Sequence, residues 1–207
     1  MKLPVFDDIF DAHQLIKEYI HRTPILTSSA INRIIGSEIF FKCENLQKTG
    51  AFKFRGACNA VFSLTDEQAA HGVGTHSSGN HAAALALAAR IKGIQSHIVM
   101  LSNSPEIKKK AVAGYGGIVT YCEPTLQPRE TTLRKIAENT GIEIIHPYNN
   151  CKVIAGQGTA AKELLEEVPI LDLVMCPVGG GELLSGTALS VKALTFVQSN
   201  RNRTVRC

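Results

Sequence analysis

The chain has 207 residues, of which 44% are hydrophobic and 19% charged, a composition typical of a globular protein with one large domain or two small ones. It contains no apolar run of about 18 residues and no apolar leader, which disfavours a membrane span or a secretory signal and favours a cytoplasmic location. The net charge of +4 comes entirely from Lys192, Arg201, Arg203 and Arg206, so no nucleic-acid-binding surface is expected.

The N-terminal third predicts an amphipathic helix, a break and a short strand. Apolar residues recur at helical spacing between residues 9 and 19. The dipeptide Thr23-Pro24 ends that pattern, because a residue before proline avoids helical geometry. A strand is expected at Glu38–Lys42, and it leads towards a second helix that begins near Lys53.

From residue 72 onward, short β-type runs alternate with helical patterns. The predicted strands are Gly72–His76, Ser96–Met100, Gly117–Tyr121, Ile142–Ile145 and Leu171–Cys176, and the predicted helices are Asn80–Ile91, Pro105–Ala113, Pro128–Asn139, about Gly158–Glu167 and about Leu183–Leu194. This alternation favours an α/β fold of parallel sheets with helices on both faces. The apolar run at the end of Leu171–Cys176 is typical of a strand buried on both sides.

A lysine, Lys53, stands between Phe52 and Phe54 at the expected start of a helix, and Arg55 follows closely. Apolar neighbours and a nearby cation both favour the neutral, nucleophilic form of a lysine amine. Such an amine condenses with an aldehyde to form a Schiff base. The segment therefore predicts a lysine that reacts with a carbonyl group.

A polar turn, residues 75–82, lies where a strand ends and a helix begins. Ser77, Ser78 and Asn80 offer hydroxyl and amide groups there, and the start of a helix attracts anions. The turn is suited to a carboxylate or a phenolate oxygen. The simpler interpretation is that Ser78 or Asn80 only caps the helix.

A third motif is the run of three glycines, Gly179, Gly180 and Gly181, between the predicted strand Leu171–Cys176 and the last predicted helix. Backbone amides of such a turn can converge on a phosphate. The segment lacks the Gly-Lys-Ser/Thr of a Walker loop and the GxGxxG of a dinucleotide site, which disfavours a plain nucleotide-binding domain. A tight turn without a ligand is the alternative.

Together these motifs resemble those of the serine racemase and serine/threonine dehydratase family of pyridoxal-phosphate enzymes. The matching segments are Glu44–Gly50, Ser77–His81, Ala155–Thr159 and Pro177–Gly181, and the likeness runs from about residue 5 to residue 194. The resemblance implies the tryptophan synthase β-like fold, fold type II, with two parallel-sheet three-layer domains. We expect a small inserted domain at residues 72–148 and a large domain formed by residues 1–71 and 149–207.

The resemblance also implies a role for each motif. Lys53 would carry pyridoxal phosphate and act as acid and base on one face of the substrate's α-carbon, with Phe52 beside the cofactor ring. Asn80 would hydrogen-bond the phenolic oxygen of the cofactor. The substrate-carboxylate loop would comprise Ser77, Ser78, Gly79, Asn80 and His81, and the phosphate cradle would comprise Gly179, Gly180, Gly181 and Leu183.

Ser78 favours one reaction within the family. A serine here is typical of the racemase branch, where it faces the opposite side of the α-carbon from the lysine, whereas dehydratases often carry alanine. The resemblance therefore implies racemisation of serine together with elimination from serine or threonine. The alternatives are a threonine dehydratase without racemase activity and a truncated, non-catalytic product.

The racemase branch also implies a nucleotide site, divalent metal and a dimer. The residues that resemble the ATP site are Ser28, Ser29, Lys48, Thr49, Lys108 and Tyr115. Ser28 and Ser29 have the alternative of capping a helix. Magnesium or calcium ligands are expected in the full-length homodimer but not in this chain, and neither nucleic-acid nor membrane partners are expected.

The chain departs from the family at two places. Glu182 stands where a fourth glycine is common, so its carboxylate either points outward or weakens cofactor binding by repelling the phosphate. Family members also continue for roughly a hundred residues beyond the last predicted helix, so the large domain is expected to be incomplete. Residues 195–207 are expected to be an atypical tail.

Overall fold

The computed structural model describes residues 3–198 of the chain. The helices in this range are α1 (Phe6–Ile16), α2 (Ser29–Ile35), α3 (Lys53–Phe62), α4 (Asp66–His71), α5 (Asn80–Lys92), α6 (Glu106–Gly114), α7 (Leu126–Thr140), α8 (Cys151–Glu167) and α9 (Glu182–Gln198). The strands are β1 (Ile25–Leu26), β2 (Phe41–Lys42), β3 (Val73–His76), β4 (Ser96–Leu101), β5 (Ile118–Cys122) and β6 (Glu143–Ile144), and short 3₁₀ turns occupy Glu44–Leu46 and Lys48–Gly50.

A four-stranded parallel sheet has the strand order β5-β4-β3-β6. Side chains of β4 alternate between its faces: Ile98 and Met100 belong to a cluster with the alanines of α5, whereas Val99 packs with Leu133 of α7. Helices therefore cover both faces, which confirms the predicted α/β arrangement. The sheet falls within residues 72–148, and the domain boundaries themselves stay a prediction.

Helix α8 packs against α1, α3 and α9, and glycines let α3 and α9 meet it at backbone contact. A Cβ on Gly156 would lie 2.6 Å from the carbonyl oxygen of Arg55 in α3. A Cβ on Gly186 of α9 would lie 2.6 Å from the nitrogen of Gly158 in α8. Only glycine fits at such crossings, so α3 and α9 both lie directly on α8.

Helix α8 begins at Cys151 rather than near the predicted Gly158. Asn150 caps its first turn, because the side-chain oxygen accepts hydrogen bonds from the amides of Lys152 and Val153. The interior glycines obscured this helix in the sequence, because glycine usually lowers helix propensity. In α8 these glycines instead allow neighbouring helices to cross it closely.

The second predicted sheet differs most from expectation. In the part of the chain that the structure describes, β1 and β2 form only a two-residue antiparallel pair, so the strand predicted at Glu38–Lys42 is shortened. The predicted buried strand Leu171–Cys176 is wrong: the segment is irregular apart from an isolated bridge at Leu173, and Met175 is 77% exposed. An apolar run becomes a buried strand only where strands pair along it, and this segment forms no ladder.

Helix α9 continues to Gln198, beyond its predicted end at Leu194. The remainder of the predicted atypical tail, residues 199–207, lies outside the described residues. None of the helices between residues 3 and 198 is long and apolar enough to cross a membrane.

Candidate active site

Lys53 is the first residue of α3, and its side chain is 18% exposed. The amine donates a hydrogen bond to the carbonyl oxygen of Pro147 at 3.1 Å and forms a short ion pair with the carboxylate of Glu182. It also lies 5.5 Å from the ring centroid of Phe52. Lys53 therefore sits between the loop after β6 and the start of α9.

The side chain of Glu182 decides between the two orientations expected for it. The side chain does not point outward: Glu182 is 3% exposed and its carboxylate contacts Lys53. It is the first residue of α9, directly after Gly181, whose φ of +91° is a conformation that favours glycine. The fourth position of the glycine turn thus directs a carboxylate towards the lysine.

The glycine turn leads into α9 as predicted. A Cβ on Gly180 would lie 2.3 Å from the ring of Tyr148, so the ring packs directly on the backbone. Gly179 and Gly181 face open space, with no atom within 4 Å of a Cβ built there. Leu183 is buried, and together with Phe52 it lines a cleft of about 280 Å³. Exposed amides before a helix are the arrangement that binds anions.

The serine turn lies between β3 and α5. The hydroxyl of Ser78 accepts a hydrogen bond from the amide of Leu101 at 3.0 Å, and the hydroxyl of Ser77 accepts one from the amide of Gly79 at 3.3 Å. Gly79 is the residue that caps α5, without a side-chain hydrogen bond. The simple interpretation that Ser78 or Asn80 caps this helix is therefore wrong.

The two remaining residues of this turn differ in exposure. Asn80 is exposed at the first position of α5. His81 is 2% exposed, and its ring nitrogens make no hydrogen bond of ordinary geometry within the described residues. Burial and the nearby positive charge of Lys53 lower the pKa of His81 to about 3. His81 is thus a neutral wall of the site rather than a cation.

Sequence reasoning missed a ring cluster beside the lysine. The rings of His76 and His146 lie 5.5 Å apart between centroids, and those of His146 and Tyr148 lie 4.4 Å apart. Burial lowers the pKa of both histidines. The available signal was positional: His76 ends β3 and His146 follows β6, and these strands are neighbours in a parallel sheet.

Arg55, the cation expected to act on Lys53, is paired with two carboxylates. Its fully buried guanidinium donates hydrogen bonds to the carboxylates of Glu44 and Glu163, so its charge is compensated elsewhere. Burial tends to raise the pKa of Glu163, but hydrogen bonds from His13 and Arg55 outweigh it and hold that pKa far below its ordinary value. This ionic cluster joins α3 to α8 behind the lysine.

The residues predicted for a nucleotide lie on separate elements. Ser28 caps α2, its hydroxyl accepting from the amide of Ile31 at 3.4 Å, which fits the simpler interpretation. The turn holding Lys48 and Thr49 packs on α5, as does α6, which carries Lys108 and is followed by Tyr115. Ser29 is the first residue of α2.

Thr49 is the unusual member of this set. Its φ is +62°, which is rare for a β-branched residue, and its hydroxyl is buried without a hydrogen-bond partner among the described residues. Backbone strain of this kind often accompanies ligand sites. In residues 3–198 no group of three or more His, Cys, Asp or Glu side chains is arranged to hold a metal ion.

Residues 16–207 match a protein family described as "Pyridoxal-phosphate dependent enzyme". The chain belongs to this family. The match continues through residues 195–207, which were expected to be atypical.

Two curated relatives and one solved structure illustrate the similarity. The β-hydroxyaspartate dehydratase of Paracoccus denitrificans is 53% identical over 94% of this chain and 62% of its own length. The serine racemase of Arabidopsis thaliana is 55% identical over 90% of this chain and 56% of its own length. The crystal structure of serine racemase from Dictyostelium discoideum superposes with a TM-score of 0.91 at 49% identity, covering 98% of this chain and 64% of that one.

These similarities confirm the predicted fold class, the tryptophan synthase β-like fold of type II enzymes. They confirm the family that the sequence motifs indicated. The chain spans about 60% of the length of the relatives named above.

Proposed function

We propose that this chain carries the lysine-bearing part of a pyridoxal-phosphate enzyme that racemises serine and eliminates water from serine or threonine. One observation carries the proposal: the amine of Lys53 is in contact with the first residue of α9, directly after the three-glycine turn. A nucleophilic amine and an anion-binding helix start are the two groups that a phosphorylated aldehyde requires.

The residues of the site fit this cofactor in most respects. Lys53 supplies the amine, and the open backbone at Gly179 and Gly181 leaves room for a phosphate before α9. Phe52 offers a ring face close to the amine. Glu182 opposes binding, because its carboxylate forms an ion pair with the amine and would repel a phosphate.

When bound, pyridoxal phosphate supplies an electron-withdrawing ring that stabilises negative charge at the substrate's α-carbon. Lys53 would hold the cofactor and exchange the α-proton at Nζ. The turn Ser77–His81 would orient the substrate carboxylate through its amides and hydroxyls at the start of α5. Asn80 would donate to the phenolic oxygen, and Gly179–Gly181 with the backbone of Leu183 would hold the phosphate.

Ser78 would serve the face opposite Lys53. Its oxygen accepts from the Leu101 amide, and a hydroxyl that accepts one hydrogen bond still has its own proton to donate. Two acid–base groups on opposite faces allow a proton to leave one side and return on the other. Ser78→Ala should abolish racemisation of L-serine and leave much of the elimination, measured as D-serine and pyruvate in one reaction. Equal loss of both products would argue against the two-base scheme.

Cofactor binding provides the direct test. Added pyridoxal phosphate should give an absorbance band at about 410–420 nm that Lys53→Ala lacks. After borohydride reduction, mass spectrometry should place the adduct on Lys53. No band and no adduct would favour the alternative, a non-catalytic product.

A second candidate substrate is a hydroxy amino acid with a second carboxylate, such as β-hydroxyaspartate. Arg129 on α7 carries a buried Nε without a hydrogen-bond partner among the described residues, and its charge lies close enough to His76 to lower that pKa further. An unpaired guanidinium nitrogen near the serine turn suits an anionic side chain. Arg129→Met should then lower kcat/KM for β-hydroxyaspartate far more than for L-serine; equal losses would exclude this role.

The proposal also includes a cytoplasmic homodimer with nucleotide and divalent-cation sites in the intact protein. The strained backbone and unpartnered hydroxyl of Thr49, next to Lys48, support the nucleotide site. Isothermal titration of the protein with ATP, with Lys48→Ala and Thr49→Ala beside it, tests this part. Unchanged affinity in both variants would remove these residues from the site.

A further inference from the structure

We infer that Glu182 withholds Lys53 from its ligand: the carboxylate keeps the amine in an ion pair, and an aldehyde reaches Lys53 only after that pair opens. The inference rests on the proposed function, because it takes Lys53 as the lysine that binds the cofactor. It assigns a defined effect to Glu182, which opposes binding of the cofactor.

The contact is well enclosed. The side chain of Glu182 is 4% exposed and that of Lys53 is 18% exposed, so little water competes for either charge. The amine is also held by the carbonyl oxygen of Pro147 at 3.1 Å. Two oxygen atoms from different parts of the chain, the start of α9 and the loop after β6, thus hold one amine.

The two histidine rings nearest this pair do not compete with Lys53 as cations. His81, beside Lys53, has its pKa lowered to about 3, and burial lowers the pKa of His146 as well. Both are therefore neutral at neutral pH. The carboxylate is the counter-ion that the amine contacts, and this contact has to open before the amine can attack an aldehyde.

The position of Glu182 makes the effect strong. It is the first residue of α9, where a negative charge is favoured by the helix dipole, and the φ of +91° at Gly181 sets the direction in which the helix begins. A phosphorylated aldehyde needs both that helix start and the amine. Glu182 therefore resists the ligand at each of its two ends, by holding the amine and by repelling the phosphate.

Two aldehydes test the inference on the intact chain. Pyridoxal lacks the phosphate, so its reaction reports only on access to the amine, whereas pyridoxal phosphate reports on both ends. The amine condenses with either aldehyde to an imine and releases water, and borohydride reduces the imine to a stable secondary amine. The rate at which this adduct forms on Lys53 is measured by peptide mass spectrometry. Glu182→Gln should raise the rate with pyridoxal about tenfold and the rate with pyridoxal phosphate by more.

Matched variants keep the test decisive. Glu106 is also the first residue of a helix, and it pairs with Lys109 at 2.8 Å far from the glycine turn in sequence, so Glu106→Gln should leave Lys53 labelling unchanged. Glu182→Gly, which removes the whole side chain, should raise labelling at least as much as Glu182→Gln. Far-ultraviolet circular dichroism identifies any variant that fails to fold.

The outcomes separate the two proposals. Equal pyridoxal labelling of Lys53 in the wild-type chain and Glu182→Gln overturns the inference and leaves the proposed function standing. A Lys53 that neither aldehyde labels in any folded variant, while other lysines react, overturns the proposed function and the inference with it.

Discussion

The crossing of α3 and α8 gives a sharp prediction for Gly156→Ala. The added Cβ would lie 2.6 Å from the carbonyl oxygen of Arg55, 2.7 Å from the Cα of Gly56 and 2.9 Å from the Cβ of Asn59. Two of these atoms are backbone and cannot rotate away, so we take the upper part of the usual overpacking cost, about 3 kcal/mol. Alanine gains about 1 kcal/mol of helix propensity over glycine. The net loss of unfolding free energy is therefore about 2 kcal/mol.

Urea unfolding followed by circular dichroism measures this difference. In thermal unfolding, Tm should fall by roughly 4–8 °C. Gly114→Ala is the matched control, because Gly114 is also helical but no atom lies within 4 Å of its added Cβ. That variant should gain about 0.5–1 kcal/mol. If both substitutions change stability equally, the crossing of α3 and α8 is not close enough at Gly156 to exclude a Cβ.

Three further predictions concern charge and strain. Glu163→Gln leaves the buried guanidinium of Arg55 with less negative charge beside it and should lower the free energy of unfolding in urea by about 3–5 kcal/mol. Glu167→Gln, at a more exposed ion pair, should lower it by less than about 1 kcal/mol. Similar losses in both variants would contradict the ionic cluster. Below pH 6.5 the unfolded chain protonates His81, while the folded chain keeps it neutral down to about pH 3. His81 should therefore lower the free energy of unfolding by about 1.4 kcal/mol per pH unit as pH falls, and His81→Asn should reduce this slope. NMR titration of the ring should show the low pKa directly. Thr49→Gly relieves a positive φ and should raise the thermal midpoint or leave it unchanged; a clear fall would show that the side chain stabilises the fold.

The sequence predicted the small parallel sheet and the family well, for a physical reason. Strands β3 to β5 are short β-type runs, and the helices that follow β3 and β5, namely α5 and α7, end at Gly93 and Gly141, so these boundaries have a local signal. The start of α3 at Lys53 and the position of the glycine turn were likewise set by adjacent residues.

What the sequence did not reveal depended on distant contacts. The carboxylate of Glu182 faces inward because Lys53, far away along the chain, lies opposite it. The ring of Tyr148 covers Gly180, a relation that no local pattern encodes. Leu171–Cys176 shows the reverse case, in which local propensity favoured a strand but no pairing formed.

The glycine crossings on α8 limit how the site can change. Helices α3 and α9 rest on α8 through Gly156 and through the pair Gly158 and Gly186, so each helix is already as near to α8 as backbone atoms permit. Every substitution at these positions adds atoms and none can remove them. Mutation at these glycines can therefore move the helices that carry Lys53 and Glu182 away from α8 but cannot bring either helix closer to it.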